Sequence, residues 1–106
     1  MSKLHSCAIT AVSGWVPKEK LTNDDLSSMV DTSDEWITTR TGIKERRILK
    51  DSEKATAYMS SQAIKRLLKK RKIKASEIDL VICATVTPDM LFPSTAAIII
   101  EEKGAE

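Results

Sequence analysis

The chain has 106 residues, of which 42% are hydrophobic and 30% charged, a composition typical of one small soluble globular domain. Its 17 basic and 15 acidic side chains leave a net charge of only +2, which argues against nucleic acid or an anionic membrane surface as a partner. The longest apolar runs, such as residues 80–84, are far too short to cross a bilayer.

The cysteines and the single histidine limit the chemistry that the chain can carry. Cys7 and Cys83 each lie in an apolar, β-prone stretch, which predicts buried thiols in a reducing, cytoplasmic environment. The first five residues do not form the apolar core of a signal peptide, which agrees with that compartment. The sequence has no CxxC pair and His5 is its only histidine, so we expect no metal site.

The first predicted elements are a strand and a short helix. Residues 7–12 are mostly small or β-branched and lead to Gly14, which predicts a strand that Pro17 ends. Residues 22–25, with the sequence TNDD, offer several helix N-caps, and we expect this helix to end near Val30.

A second helix is specified at both of its ends. Thr32 and Glu35 fit a capping box, in which each side chain binds a backbone N–H at the start of the helix. Acidic residues occupy the first turn, where the helix dipole favours them, and Gly42 is placed just past the last turn. The charged stretch 43–49 then predicts an exposed or edge strand.

The longest helix is predicted over Thr56–Arg71, because apolar residues recur there at spacings of three and four and form one stripe. The stripe consists of Met59, Ala63, Ile64, Leu67 and Leu68. Residues 76–79 predict a turn, and residues 80–85 show no polar alternation, as in a strand covered on both faces. This order of strand, helix and strand predicts an α/β layered fold with right-handed crossovers.

The last predicted element is a helix that starts at about Pro93, a residue suited to a first helical turn. Residues 96–100, with the sequence AAIII, make its surface apolar in nearly every direction. We therefore expect this helix to be buried on all sides, and residues 1–106 to belong to a larger fold.

The sequence contains no convincing set of catalytic groups. His5, Cys7 and Cys83 show no local cue for an activated nucleophile, and the paired carboxylates lie at helix starts, where capping explains them. Seven basic residues crowd into positions 65–74. They predict a solvated helix face, with a functional patch as the alternative.

Trp36 and Arg40 form the first candidate for a binding site. They are four residues apart and so lie on one face of the predicted second helix. An indole offers a stacking surface and an arginine a planar cation, so the pair can hold an aromatic base beside a phosphate. The alternative is a structural cation–π contact within the helix, which the spacing alone favours.

Met90, Leu91 and Phe92 form the second candidate. These three large apolar residues occupy a loop between a predicted strand and a predicted helix, where ligands bind in open α/β sheets. Two interpretations stay open: the loop lines a pocket or an oligomer contact, or it packs onto the following helix as a hydrophobic staple.

Three stretches of the sequence resemble those of β-ketoacyl-acyl carrier protein synthase III. They are residues 30–47 (VDTSDEWITTRTGIKERR), residues 84–96 (ATVTPDMLFPSTA) and residues 9–17. The resemblance implies an α/β, thiolase-like layered fold, α-β-α-β-α, with two similar halves per subunit in a homodimer. Residues 1–106 are then expected to be the N-terminal part of the first thiolase-like half-domain.

The resemblance also implies a function. Enzymes of this family condense an acyl-coenzyme A, usually acetyl, with malonyl-acyl carrier protein, and so initiate fatty-acid synthesis. The acyl group first moves to a cysteine, and a histidine and an asparagine assist by stabilising the oxygen that becomes negative. The coenzyme A thioester is a substrate, and we expect no further cofactor.

By the same resemblance, Trp36 stacks on the adenine of coenzyme A, Arg40 contacts the nucleotide end, and Thr32 hydrogen-bonds the adenine. Phe92 resembles a phenylalanine that crosses the dimer interface and borders the partner's acyl pocket. The family's catalytic residues lie beyond position 106, so we expect this chain alone to be inactive. The alternatives are a non-catalytic binding module and a related condensing enzyme of a specialised pathway.

Overall fold

The computed structural model describes residues 3–51 and 53–104. They form two compact units. One unit consists of residues 16–55, and the other is built from the residues up to Trp15 together with those from Thr56 onwards.

The unit of residues 16–55 contains a two-stranded antiparallel sheet. Strand β1, Glu19–Thr22, pairs with β2, Glu45–Ile48, so that Glu19 lies opposite Ile48 and Thr22 opposite Glu45. The strand predicted within residues 43–49 is therefore confirmed, whereas β1 was not predicted. A surface ion pair between Lys20 and Glu45 (3.2 Å) joins the strands and adds little stability in water.

Helix α1, Asn23–Ser27, begins where β1 ends. Thr22 is its N-cap and forms a capping box with Asp25, whose carboxylate accepts the Thr22 N–H at 2.8 Å. This backbone hydrogen bond, followed by the one from the Thr22 hydroxyl, lowers the pKa of Asp25 below its ordinary value. The helix ends at Ser27, so the predicted end near Val30 was wrong.

Helix α2, Asp34–Thr41, has a different N-cap from the predicted one. Ser33 holds that position, and its hydroxyl accepts the N–H of Trp36 at 3.1 Å. The capping box predicted from Thr32 and Glu35 is wrong, because the helix starts one residue later. Gly42 follows the helix with a φ of 71°, in the left-handed region that glycine adopts readily, as predicted.

The second unit is organised by two helices that pack against each other. Helix α3 spans Thr56–Arg71, as predicted, and a short 3₁₀ helix, Ala75–Glu77, lies between it and helix α4, Thr95–Gly104. Ala57 of α3 and Ile99 of α4 are among the buried apolar residues. The buried hydroxyl of Ser61 also donates a hydrogen bond to Glu102, which ties the two helices together.

Helix α4 is only partly enclosed by the described residues. It begins at Thr95, two residues after Pro93, and the Ser94 hydroxyl accepts the Ala97 N–H at 3.2 Å as an N-cap does. Ile99 is buried, but Ile100 is 52% exposed. The described residues cover this helix mainly on the side of α3, so its burial on all sides within a larger fold stays a prediction.

Two predicted strands do not form in the described part of the chain. Residues 7–12 and 80–85 have no strand assignment, because a strand requires a hydrogen-bonded neighbour and the described sheet contains only β1 and β2. Leu80 and Ile82 are 75% and 83% exposed, so the described residues do not supply the predicted cover on the two faces of this segment.

The two thiols are less buried than predicted, for the same reason. Cys7 is exposed and Cys83 is only partly buried, since the segments that carry them are not enclosed by paired strands. Within residues 3–51 and 53–104, none of the helices has the length and apolar character needed to cross a membrane.

Candidate functional site

The side chains of Trp36 and Arg40 stack on each other along α2. The Cζ atom of Arg40 lies 4.3 Å from the centroid of the Trp36 ring, so the predicted cation–π contact is confirmed. Trp36 nevertheless remains 53% exposed. The contact therefore holds a largely accessible indole in one orientation, with a guanidinium beside it.

An open depression of about 320 Å³ adjoins this indole. It is lined by Asp31, Thr32, Ser33 and Trp36. Thr32 is partly buried, and the Ser33 hydroxyl is already engaged by the Trp36 N–H. The structure thus brings together all three residues that the resemblance assigns to the nucleotide: Thr32 and Trp36 line the depression, and Arg40 stacks on Trp36.

A buried asparagine fixes the helix that carries these residues. Asn23 is 1% exposed, and its Nδ2 donates to Oδ1 of Asp34 and to the carbonyl oxygen of Ile43, each at 2.8 Å. A longer contact of 3.4 Å joins Nδ2 to the Thr38 hydroxyl. The Oδ1 atom of Asn23 accepts from Arg46 at 3.1 Å.

Sequence reasoning missed the role of Asn23. Residues 22–25 were interpreted only as candidate N-caps, and Thr22 is the cap. The partners of the Asn23 side chain lie 11 to 23 residues further along the chain, so no local pattern signals its burial. The sequence contains one indirect signal of these contacts: Asp34, Ile43 and Arg46 all lie in residues 30–47, the stretch that resembles the synthase family.

The same network stabilises the ionised form of Asp34. The hydrogen bond from the Asn23 amide, followed by that from the Thr38 hydroxyl at 3.1 Å, lowers the pKa of Asp34 below its ordinary value. The hydrogen bonds therefore keep the carboxylate ionised to lower pH than usual, in the first turn of α2, where the helix dipole favours a negative charge.

Phe92 belongs to the other compact unit. It is 87% exposed and the adjacent Leu91 is 99% exposed, so the interpretation of these two residues as a staple on the following helix is wrong. The loop before them is anchored to the start of α3. Asp89 accepts the Ala57 N–H at 2.8 Å, and the Thr56 hydroxyl donates to the backbone carbonyl of residue 87 at 2.7 Å.

The basic cluster of residues 65–74 is partly structural. Arg66 donates to the carbonyl oxygen of Gly14 at 3.0 Å, and Lys70 to that of Val12 at 3.1 Å. These two cations therefore hold the N-terminal segment of their unit. In the part of the chain that the structure describes, no three His, Cys, Asp or Glu side chains are arranged to hold a metal ion.

Comparisons of sequence and of structure match the chain to enzymes of one class. No protein-family model matches the chain. A curated β-ketoacyl-[acyl-carrier-protein] synthase III from Chlorobaculum tepidum is 59% identical over 92 residues, which cover 87% of this chain and 28% of that protein. The crystal structure of 3-oxoacyl-[acyl-carrier-protein] synthase III from Aquifex aeolicus VF5 matches with a TM-score of 0.82 and 51% identity, over 90% of this chain and 30% of that one.

A polyketide enzyme matches at lower identity. The priming β-ketosynthase of the R1128 polyketide pathway has a TM-score of 0.80 and 32% identity, over 90% of this chain and 28% of that one. The chain accordingly has part of the fold of the thiolase-type condensing enzymes. Within that class its sequence and fold are similar to those of β-ketoacyl-[acyl-carrier-protein] synthase III enzymes, and it spans about 30% of the length of the relatives it matches.

Proposed function

We propose that this chain is the N-terminal part of a β-ketoacyl-acyl carrier protein synthase III and carries one side of its coenzyme A site. In this proposal the adenine stacks on Trp36, Arg40 lies by the nucleotide end, and Thr32 hydrogen-bonds the base. The observation that carries the proposal is the Arg40 guanidinium 4.3 Å from the centroid of an indole that stays 53% exposed beside an open depression.

Elementary chemistry supports this use of the pair. A nucleotide base that stacks on an exposed aromatic side chain typically gains about 1–3 kcal/mol of binding free energy. The arginine contact fixes the indole before the ligand arrives, so less side-chain entropy is lost on binding. A hydroxyl such as that of Thr32 can both donate and accept, as an adenine edge requires.

The whole reaction is part of the proposal. An acyl group passes from coenzyme A to a cysteine, and malonyl-acyl carrier protein then loses carbon dioxide and attacks the thioester. We assign neither Cys7 nor Cys83 as that nucleophile, and expect residues 1–106 alone to be inactive. We further propose a cytoplasmic homodimer in which Phe92, exposed on this chain, borders the acyl pocket of the partner subunit.

A synthase that starts fatty-acid elongation is better supported than an enzyme of a specialised pathway. The identity to the Chlorobaculum synthase is 59%, against 32% to the R1128 priming ketosynthase. A non-catalytic binding module has no comparable support among the matched proteins.

Steady-state kinetics of the intact gene product test the proposal. Trp36→Ala is expected to raise the KM for acetyl-coenzyme A while leaving the KM for malonyl-acyl carrier protein unchanged, because only the nucleotide loses a stacking surface. Trp15→Phe is the matched control, since Trp15 contacts Tyr58 edge-to-face in the other unit (centroids 5.7 Å apart). An unchanged KM for acetyl-coenzyme A in the Trp36→Ala enzyme would sink the adenine assignment.

A further inference from the structure

We infer that Asn23 is a positioning residue for the indole of Trp36. Its buried amide connects α2 to β2, and so sets the orientation of the surface on which the adenine of coenzyme A stacks. The inference rests on the proposed function. Asn23 itself touches no ligand in this scheme, because it is 1% exposed.

Among residues 3–51 and 53–104, few other contacts hold the orientation of helix α2. All eight of its residues are described, and of these only Ile37 is buried. A helix of two turns with one buried apolar residue gains little from packing, and short helices are marginal in water without tertiary contacts. Polar contacts at its two ends therefore have a large share in fixing where its side chains lie.

Asn23 supplies those contacts at both ends. Its Nδ2 donates to Asp34 in the first turn of α2 and to the carbonyl oxygen of Ile43, just after the helix, each at 2.8 Å. Its Oδ1 accepts from Arg46 of β2 at 3.1 Å. One side chain thus connects the start of the helix, its exit and the neighbouring strand.

Asparagine is the residue type that this arrangement requires. Of its three partners within 3.1 Å, a carboxylate and a carbonyl accept hydrogen bonds, whereas a guanidinium donates one. Aspartate has the same shape but has no N–H to donate, and its charge would face the carboxylate of Asp34. Because the site is buried, the groups left without partners cannot recover them from water, and the helix must shift.

The shift reaches Trp36 directly. Asp34 and Trp36 lie in the same first turn of α2, and the N-cap hydrogen bond from the Trp36 N–H to Ser33 defines that turn. An indole displaced by about 1 Å loses much of its stacking contact, since dispersion attraction falls steeply over such a gap.

The test compares two thioesters in the intact gene product. Acetyl-coenzyme A carries the adenine nucleotide, whereas acetyl-pantetheine lacks it. For Asn23→Asp, the preference in kcat/KM for acetyl-coenzyme A over acetyl-pantetheine is expected to fall by about fivefold to tenfold, within the range that base stacking supplies. The kcat/KM for acetyl-pantetheine is expected to stay as in the wild type.

Three further variants make the result specific. Ser27→Asp adds the same charge on the exposed side of α1, outside the network, and is expected to change neither thioester. The double variant Asn23→Asp/Asp34→Asn restores a donor and an acceptor between positions 23 and 34 in exchanged roles, and is expected to recover part of the preference. Thr38→Val removes the hydroxyl that lies 3.1 Å from Asp34, and replaces Asn23→Asp in the test if that variant does not fold. It is expected to lower the preference for acetyl-coenzyme A by a smaller factor.

The outcomes separate this inference from the proposed function. If Trp36→Ala abolishes the preference for acetyl-coenzyme A while Asn23→Asp keeps it, the positioning role is overturned and the adenine site stands. An equal fall with both thioesters for Asn23→Asp shows a general structural role and overturns the inference as well. If Trp36→Ala leaves the preference intact, the adenine assignment of the proposed function fails, and the inference that rests on it fails as well.

Discussion

The stacked pair of Trp36 and Arg40 gives a prediction in which the two residues do not act independently. Their separation of 4.3 Å at an exposed site corresponds to a cation–π contact of about 0.5–1 kcal/mol. Base stacking on the indole corresponds to about 1–3 kcal/mol, and thus to a fall of roughly fivefold to 150-fold in kcat/KM for acetyl-coenzyme A in Trp36→Ala. Arg40→Ala removes both the contact and a cation beside the nucleotide.

A double-mutant cycle on the intact gene product measures this dependence. Part of the Arg40→Ala effect comes from releasing the indole, so Arg40→Ala is expected to cost about twofold to fivefold less in the Trp36→Ala background than in the wild type, the kinetic equivalent of the cation–π contact. Arg40→Lys, which keeps the charge and loses the planar surface, is the matched control and is expected to lie between wild type and Arg40→Ala. Strictly multiplicative effects would refute the idea that the arginine orients the indole.

Two further predictions concern the apolar loop and the acidic start of α2. Phe92→Ala is expected to change the acyl-chain preference or to weaken the dimer, measured with a series of acyl-coenzyme A substrates and by size-exclusion chromatography; wild-type behaviour in both assays would contradict the assigned role. Asp34 has a lowered pKa in the folded state, so its stabilising contribution is present above the ordinary pKa of 3.8 and is lost as the pH falls below that value. The difference in thermal stability between wild type and Asp34→Asn is accordingly expected to shrink below pH 3.8, and a pH-independent difference would contradict the network.

The elements that the sequence predicted well are those specified by local chemistry. Helix α3 follows from one apolar stripe at spacings of three and four, and the end of α2 follows from a glycine that can adopt a positive φ. The start of α2 was misplaced by one residue because Thr32 and Ser33 are both competent caps, and only the structure shows which hydroxyl meets the Trp36 N–H.

The features that the sequence could not predict depend on distant partners. Strand β1 has the sequence EKLT, which lacks a strand pattern, and it exists because residues 45–48 pair with it. The opposite error occurred at residues 80–85, whose apolar run is typical of a buried strand but which finds no pairing strand among the described residues. The burial of Asn23 is likewise decided by residues far along the chain.

The candidate site was predictable only in part. The helical spacing places Trp36 and Arg40 on one face, and the contact formed as expected. Spacing cannot distinguish a structural cation–π pair from a ligand platform, because both use the same geometry. The assignment to adenine comes from the resemblance, to which the structure adds an exposed indole and an adjoining depression.

The most direct test of the adenine site is a crystal structure of the intact gene product with coenzyme A bound. The proposal predicts that the adenine ring lies against the indole of Trp36 at stacking distance, about 3.5–4 Å between ring atoms, with the Thr32 hydroxyl at the edge of the base. Density for the adenine away from α2, with the indole of Trp36 uncovered, would contradict the proposal.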